Sequence, residues 1–308
     1  MDDILPLLNI NIPYNERISQ INNIISQGNS NYYELNLSVV STTLNYDKSN
    51  YIITPKGLKN SKRKAEDGIV LFGFERKNNK MNQYIKPNDE NINTDNNNII
   101  FSKNNINSDY DEYGKDFLLN DFIFPIEEKE DNYSLYELPN FAIYYNTHDG
   151  NYYIKDFNTG VGALMKIKKY KMEGNILINI GGNYLVIYIE KNKIIIKIFN
   201  NSILEGTNEK SKVNCDLKEF DIDENQNCFI NIGRNQNCDI IIEDMMLSKI
   251  QCCIEYNVND KCYYLNDGDG KKESTNGTWV FILNPTKITN NFMFKAEHTL
   301  FVANLINK

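Results

Sequence analysis

The feature that most constrains the fold is a long succession of short β-branched and aromatic runs that begins near residue 32. Runs such as YYELNLSVVS, FAIYYN and IQCCIEY have the composition of β-strands, and turn residues such as Gly181-Gly182-Asn183 separate them. No long helical pattern alternates with these runs, which argues against an α/β fold. The pattern predicts an all-β protein built of antiparallel sandwiches.

One short helix is expected before the strands, over residues 13–27. Pro13 suits the first helical position, four isoleucines between residues 18 and 25 fall on one face, and Gly28 is a natural stop. We expect this helix to dock on the body of the protein or on a partner.

Charge and histidine content exclude several functions. The net charge is −8 and the pI is about 5.0, which disfavours direct nucleic-acid binding because that requires a surplus of Lys and Arg. The two histidines, His148 and His298, are far apart, which argues against His-based catalysis or a His-rich metal site. No hydrolase, nucleotide-binding, zinc-protease or kinase motif is present, so we predict a protein that is not an enzyme and needs no cofactor.

The six cysteines all lie in the C-terminal third, and none forms a C-x-x-C pair, so a zinc or redox site has little support. Reduced thiols are expected, which indicates an intracellular protein, in the nucleus or the cytoplasm. The N-terminus lacks the pattern of a signal peptide, and no apolar run reaches the length of a membrane span, so no membrane partner is expected.

The segment with the clearest chemistry is 228–280. Gly233-Arg234 ends a strand, Ser248-Lys249 precedes another, and residues 274–277 (Ser-Thr-Asn-Gly) form a turn between two more. Binding loops gather at one end of a sandwich, so these three should converge. Arg, Lys, Ser and Thr donors that converge form a phosphate site, and an adjacent Asn can hydrogen-bond a peptide backbone.

This pattern resembles the forkhead-associated (FHA) domain, a phosphothreonine-recognising β-sandwich of about eleven strands. The family's Gly-Arg, Ser-x-x-His and Asn-Gly motifs correspond here to Gly233-Arg234, Ser248-Lys249-Ile250-Gln251 and Asn276-Gly277, and the resemblance covers about residues 193–305. It implies that Arg234 and Ser248 hold the phosphate, that Lys249 and Thr275 assist, and that Asn276 binds the peptide main chain.

The resemblance also assigns supporting roles to Gly233, Gln251, Gly277 and Trp279. Gln251 stands where the family has its His, which braces the binding loops; because an amide can make some of the same hydrogen bonds, we expect a weakened site rather than an abolished one.

The loop from Asp267 to Ser274 is longer than usual in the family. Its Lys271 and Lys272 would widen the positive patch. Its D-G-D-G sequence hints at calcium, but the rest of a calcium loop is missing, so a plain turn is expected.

A second, degraded copy of the same pattern precedes this one. Phe74 follows Gly73 where the family has Arg, and Leu138, Phe141 and Val161 stand at the Ser, His and Asn positions. Apolar groups cannot pair a phosphate dianion, so this copy should not bind phosphate. We read it as a sandwich that packs against its neighbour or a partner.

The sequence therefore predicts two tandem antiparallel FHA-like sandwiches of about eleven strands each, with a short N-terminal helix. The expected divisions are an N-terminal segment (1–30), a degenerate sandwich (31–190) that is closed by the hairpin GNILINIGGNYLVIYI and carries an Asn-rich insert (76–115), and an FHA sandwich (191–308). The insert reads as a long loop, either low-complexity filler or a partner-binding or phosphorylated segment. One large β domain with irregular additions remains the alternative.

The leading functional hypothesis is a phosphothreonine-peptide recognition module that acts as an adaptor or scaffold. Its partner would be a phosphothreonine-containing protein or a stable protein complex. The alternative is a structural subunit of a larger assembly, in which FHA folds serve as phosphate-independent interaction surfaces. A calcium- or membrane-binding sandwich has the least support, since aspartates do not cluster on paired loops and an acidic chain disfavours anionic lipid.

Overall fold

The computed structural model describes residues 4–26, 32–42, 49–61, 63–74, 120–124, 139–158, 162–200 and 215–307. The predicted insert 76–115 lies outside the described residues. Two helices begin the chain, α1 (Ile4–Leu7) and α2 (Tyr14–Ser26). No helix in the described ranges is long and apolar enough to cross a membrane.

Twenty-one strands follow within the described residues. They are β1 (Tyr33–Thr42), β2 (Asn50–Thr54), β3 (Gly57–Leu58), β4 (Ile69–Phe74), β5 (Phe122–Phe124), β6 (Phe141–Asn146), β7 (Asn151–Asp156), β8 (Leu164–Ile167), β9 (Lys169–Met172), β10 (Ile176–Ile180), β11 (Asn183–Glu190), β12 (Lys193–Asn200), β13 (Cys215–Asp221), β14 (Cys228–Gly233), β15 (Ile240–Ile241), β16 (Cys252–Asn257), β17 (Cys262–Asp267), β18 (Thr278–Phe281), β19 (Thr286–Lys287), β20 (Phe292–Ala296) and β21 (Thr299–Asn307).

These strands form one long sheet and two short ones. The long sheet has eleven strands in the order β13-β12-β11-β10-β18-β8-β20-β21-β1-β2-β3. The short sheets have the orders β15-β14-β16-β17-β9 and β5-β4-β6-β7-β19. Each short sheet covers one half of the long sheet, so the molecule is two sandwiches joined edge to edge by the β18–β8 pair. The predicted fold class is thereby confirmed, although β4–β5 and β14–β15 are parallel pairs.

The strand order of the long sheet is approximately symmetric about the β18–β8 pair. The first sandwich consists of β1–β8 and β19–β21, and the second of β9–β18. On one side of the β18–β8 pair, β18 is followed across the long sheet by the hairpin β10–β11 and then by the hairpin β12–β13. On the other side, β8 is followed by the hairpin β20–β21 and then by the hairpin β1–β2. The antiparallel β18–β8 ladder thus lies between two similar halves of the long sheet.

Each half of the chain gives its closing strands to the other sandwich. The hairpin β10–β11 was expected to close the first sandwich, and this expectation was wrong: β10 pairs with β18, and β9 pairs with β17, all in the second sandwich. In return, β19 pairs with β7 and β20 pairs with β8 in the first sandwich. Only Lys168 separates β8, in the long sheet, from β9, in the short sheet of the second sandwich, so the chain passes from the first sandwich to the second at this residue.

The predicted division at residue 190 stays a prediction, and strand pairing crosses it. β11 and β12 form a continuous hairpin from Asn183–Asn200 to Glu190–Lys193, with residues 191–192 as its turn. Buried apolar side chains from both sandwiches form one cluster. The sandwiches are thus adjacent without a linker, and any cut near residue 190 falls inside a sheet.

The N-terminal helices pack on the outer face of the β4–β6–β7 sheet. Ile4, Leu5 and Leu8 form an apolar cluster with Leu71 and Tyr144. This contact places α1, which the sequence did not predict, against the chain's own first sandwich.

A buried arginine anchors α2. The guanidinium of Arg17 is 1% exposed and donates to the carbonyls of Asp67 (2.7 Å) and Tyr145 (2.6 Å). Burial lowers the pKa of Arg17, while Asp67 opposes that shift. The isoleucine pattern predicted a helix, but it gave no indication of this polar anchor.

Candidate functional site

Two of the three predicted loops meet by close backbone contact. The backbone N–H of Arg234 donates to the carbonyl of Ser248 (3.2 Å), and that of Asn235 donates to the carbonyl of Lys249 (3.1 Å). At Gly233, a Cβ atom would lie 2.3 Å from the Lys249 carbonyl oxygen. Only glycine permits this approach, which sets Arg234 and Lys249 beside each other at the end of the sandwich.

The third loop joins the second through hydroxyl contacts. The N–H of Thr275 donates to Ser248 Oγ (2.9 Å), whose hydroxyl lies 3.3 Å from Thr275 Oγ1. Beside them, Asn276 Nδ2 donates to the carbonyl of Met246 (2.7 Å). Residues 246–248 and 275–276 therefore form one connected surface.

Gln251 ties these loops together from beneath. Its side chain is fully buried, its Oε1 accepts from the N–H of Ser248 (3.0 Å), and its Nε2 donates to Ser274 Oγ (2.8 Å) and to the carbonyl of Gly277 (2.9 Å). The amide of Gln251 thus uses its oxygen as an acceptor and its nitrogen as a donor, and it links the loop of Ser248 to the loop of Ser274 and Gly277.

Asp267 is a second support, which the sequence analysis named only as a loop boundary. Its Oδ1 accepts from the hydroxyls of Ser274 and Thr278, both at 2.7 Å, and its Oδ2 accepts from the N–H of Ser274 (3.1 Å). The carboxylate is 3% exposed. The sequence signal for such a carboxylate is an acidic residue at the end of a strand, followed by Ser and Thr across a turn, because their hydroxyls can donate to it.

The turn after Asn276 is fixed by its glycine and by the tryptophan that follows. Gly277 has φ +77°, and a Cβ there would lie 2.5 Å from Lys166 Cε. Trp279 Nε1 donates to the carbonyl of Asn276 (3.1 Å). Lys295 of β20 covers the indole ring, with Nζ 4.7 Å from its centroid, and burial lowers the pKa of Lys295 to about 8.

The side chains at the surface of this site are available to a ligand. Arg234, Lys249, Thr275 and Asn276 are exposed, and Ser248 is half-buried. Neither basic side chain forms an ion pair with another described residue. Arg234 and Lys249 are thus two exposed cations on adjoining backbone segments, and like charges do not stabilise each other.

The D-G-D-G loop folds as a turn around Asp269. Its Oδ1 accepts from the N–H groups of Lys271 (2.9 Å) and Lys272 (2.7 Å). Within the described ranges, no group of His, Cys, Asp and Glu side chains is arranged to hold a metal ion. None of the six cysteines forms a disulfide.

The first sandwich places other residues at the corresponding positions. The N–H of Asn140 donates to the carbonyl of Phe72 (2.7 Å), as that of Gln251 donates to Ile232 (2.7 Å), so Asn140 occupies the Gln251 position. The sequence pattern predicts Phe141 at this position, and that prediction is wrong by one residue. Leu138, Val161 and the side chain of Phe74 lie outside what the structure describes.

Comparison with known proteins supports the motif assignment. Residues 230–298 match the family model described as FHA domain. No curated protein and no solved structure matches the chain. The matched residues include all three loops, and they extend into β19 and β20 of the first sandwich. The family is a non-catalytic fold that recognises phosphopeptides in protein interactions. The C-terminal part of the chain therefore contains an FHA-domain sequence, at residues 230–298.

Proposed function

We propose that this chain is a phosphothreonine-peptide reader that acts as an adaptor, through a site formed by Arg234, Ser248, Lys249, Thr275 and Asn276. The observation that carries the proposal is the position of two exposed cations beside two hydroxyls, on loops that a buried glutamine ties together. FHA domains in general bind phosphothreonine peptides, which supports the same reading.

The expected mechanism is recognition without chemistry. The guanidinium of Arg234 and the ammonium of Lys249 neutralise the dianionic phosphate, while the hydroxyls of Ser248 and Thr275 donate to its oxygens. Asn276 has one amide N–H on Met246, which leaves its second N–H and its Oδ1 for the peptide main chain. Because Gln251 and Asp267 already hold the loops, binding needs little further ordering.

The alternative, a phosphate-independent structural subunit, rested partly on an N-terminal helix free to dock on a partner. That support is weaker now, because Arg17 and Ile21 of α2 are buried against the first sandwich. The reader therefore remains the leading proposal, and the partner is expected to be a protein that carries phosphothreonine.

The test is a titration of the full chain with phosphothreonine peptides and their unphosphorylated counterparts. We expect phosphate-dependent binding, and a loss of about tenfold or more in Arg234→Ala, because a charge-assisted hydrogen bond contributes about 1.5–3 kcal/mol. Lys171→Ala, which removes an exposed cation on β9, is the matched control and should bind normally. Equal affinity for both peptide sets, or unchanged affinity in Arg234→Ala, would refute the reader and favour the structural subunit.

A further inference from the structure

A cleft of about 710 Å³ lies on the second sandwich, between the β10–β11 turn and the segment that follows β15. The turn contributes Gly182 and Asn183, and the segment contributes Ile241 to Met245. Asp216 of β13 and Gln236 also line the cleft. The cleft is therefore built partly from the exchanged hairpin, outside the residues that match the FHA model.

The cleft adjoins the proposed phosphate site along the chain on two sides. Gln236 follows Arg234 by two residues, and Met245 precedes Ser248 by three. Between Met245 and Ser248, the carbonyl of Met246 accepts from Asn276. The cleft and the proposed phosphate site are therefore joined by the short segments 234–236 and 245–248.

One wall of the cleft is held in place by Asp244. Its Oδ2 accepts from Asn183 Nδ2 (2.8 Å) and from the N–H of Gly182 (3.2 Å), and its Oδ1 accepts from the N–H of Met246 (2.8 Å). At Gly181, whose φ is +56°, a Cβ would lie 2.7 Å from Asp244 Oδ2. The exchanged hairpin thus positions the loop that carries Met246 and Ser248.

The free groups of the cleft combine negative charge with exposed apolar surface. Asp216 and Glu243 are exposed and have no ion-pair partner among the described residues. Met245 is 86% exposed and Ile241 is 42% exposed, although both are apolar. Packing against the described residues does not account for these two side chains, since burial would stabilise them.

A lysine or arginine side chain matches both properties. Its methylene stem covers apolar surface while its charged head stays in water beside a carboxylate. Charge also argues for it: a phosphopeptide without a basic residue would bring only negative charge close to Asp216 and Glu243. An acidic side chain would be repelled, and an aliphatic one would leave the carboxylates without a partner.

We propose that this cleft binds a lysine or arginine side chain of the same peptide whose phosphothreonine is held at Arg234. The proposal rests on the proposed function, and it adds a requirement for ligands that carry phosphothreonine and a nearby basic residue together. Asp216 and Glu243 select the charge, Met245 and Ile241 contact the stem, and Asp244 is a positioning residue.

The experiment uses the full chain and synthetic phosphothreonine peptides that carry Lys, Leu or Glu at each position from four before to four after the phosphothreonine. We expect Lys to bind about fivefold more tightly than Leu at one position, with Glu weakest there. The double variant Glu243→Gln/Asp216→Asn should lose this preference and keep phosphate-dependent binding. The charge-selective part should also weaken as salt is raised, because the groups are exposed.

The matched control is Glu190→Gln/Asp221→Asn, which also removes two negative charges. These residues lie at the ends of β11 and β13 that are about 20 Å along the strands from the cleft. This control variant should keep the preference for Lys. Phosphate-dependent binding without a basic preference, or a preference that survives in Glu243→Gln/Asp216→Asn, overturns the proposal and leaves the proposed function standing. Absence of phosphate-dependent binding with every peptide overturns both.

Discussion

The two sandwiches have the same strand scaffold, but they differ in the loops at one end, where the second sandwich carries Arg234, Ser248 and Thr275. Both contain a five-stranded sheet of the same order, and both place a glycine, Gly73 or Gly233, near the end of the second strand in that order. Both also end the fourth strand in a buried aspartate, Asp156 or Asp267, that accepts hydrogen bonds from the loop that follows. Only the second adds Arg234 and the hydroxyl pair. The scaffold therefore folds without those residues, which supports a role for them in binding rather than in stability.

The outer faces of the short sheets differ as well. In the first sandwich, Ile69, Leu71 and Tyr144 lie under the N-terminal helices. Their counterparts in the second include Asn231 and Glu255, and Phe229 is 55% exposed there. An apolar face needs a cover and a polar face does not. This explains why the helices dock on the first sandwich and leave the second open.

The largest expected effect concerns the exchange of closing strands. A fragment of residues 168–285 contains all ten strands of the second sandwich, whereas a fragment of residues 191–308 lacks β9, β10 and β11. We expect 168–285 to fold and to bind phosphopeptide, and 191–308 to remain unfolded or to aggregate, because in 191–308 β12 loses β11, β17 loses β9 and β18 loses β10. Circular dichroism and the chemical-shift dispersion of NMR spectra show whether each fragment is folded. Cooperative unfolding of 191–308 as a monomer would contradict the exchange.

The next effect compares two arginines. Arg17→Met leaves two buried carbonyls without their donor and should lower the free energy of unfolding by about 3 kcal/mol. Arg234→Met removes an exposed side chain and should change it by less than about 0.5 kcal/mol, while it lowers phosphopeptide affinity. Urea unfolding of both variants measures this. A large loss of stability in Arg234→Met would show that this residue is structural.

A smaller effect is expected from substitution of the two equivalent glycines, Gly73 and Gly233. Gly233→Ala brings a Cβ to 2.3 Å from a backbone oxygen, so the loop must shift; we expect a loss of about 2 kcal/mol and about tenfold weaker peptide binding. Gly73→Ala meets the side chain of Asn120, which can rotate, and should cost less. Gly174→Ala, with no atom within 4 Å of its Cβ, is the neutral control. Equal losses of stability in Gly73→Ala and Gly233→Ala would contradict the expectation that only the backbone contact at Gly233 is costly.

The smallest effect tests the junction between the sandwiches. Lys295 lies opposite Leu164 as Asn179 lies opposite Trp279, and Lys295 Nζ donates to Asn179 Oδ1 (2.6 Å). Burial lowers the pKa of Lys295 to about 8, below the value of about 10.4 for an unfolded chain. The unfolded state therefore holds more protons between these values, and stability should rise with pH in that window.

We expect the free energy of unfolding of the native chain to rise by about 1 kcal/mol relative to Lys295→Met between pH 7.5 and 9.5. The contact with the Trp279 ring and the bond to Asn179 favour the charged form and limit the size of the effect. Lys171→Met, an exposed lysine, should show no such difference. Parallel pH dependence of the native chain and Lys295→Met would contradict the burial of this ammonium.

Sequence patterns were informative wherever the signal was local. The strand runs, the helix of residues 14–26 and the three loop motifs depend on residue spacing, and each can be read from a short window. The FHA match at residues 230–298 confirms the family assignment from the motifs. The Phe141 assignment failed by one residue, since register within a strand depends on hydrogen-bond partners that an isolated segment does not contain.

The sequence by itself determined that this protein is all-β, that its C-terminal part is of the FHA type, and that the donors of the proposed phosphate site lie on three loops. Only the tertiary structure decided which strands pair, that β10–β11 closes the second sandwich rather than the first, that Arg17 is buried, and that Asp216 and Glu243 line a common cleft. The reason is physical: strand propensity is a property of a few residues, whereas pairing and burial depend on segments far apart in the chain.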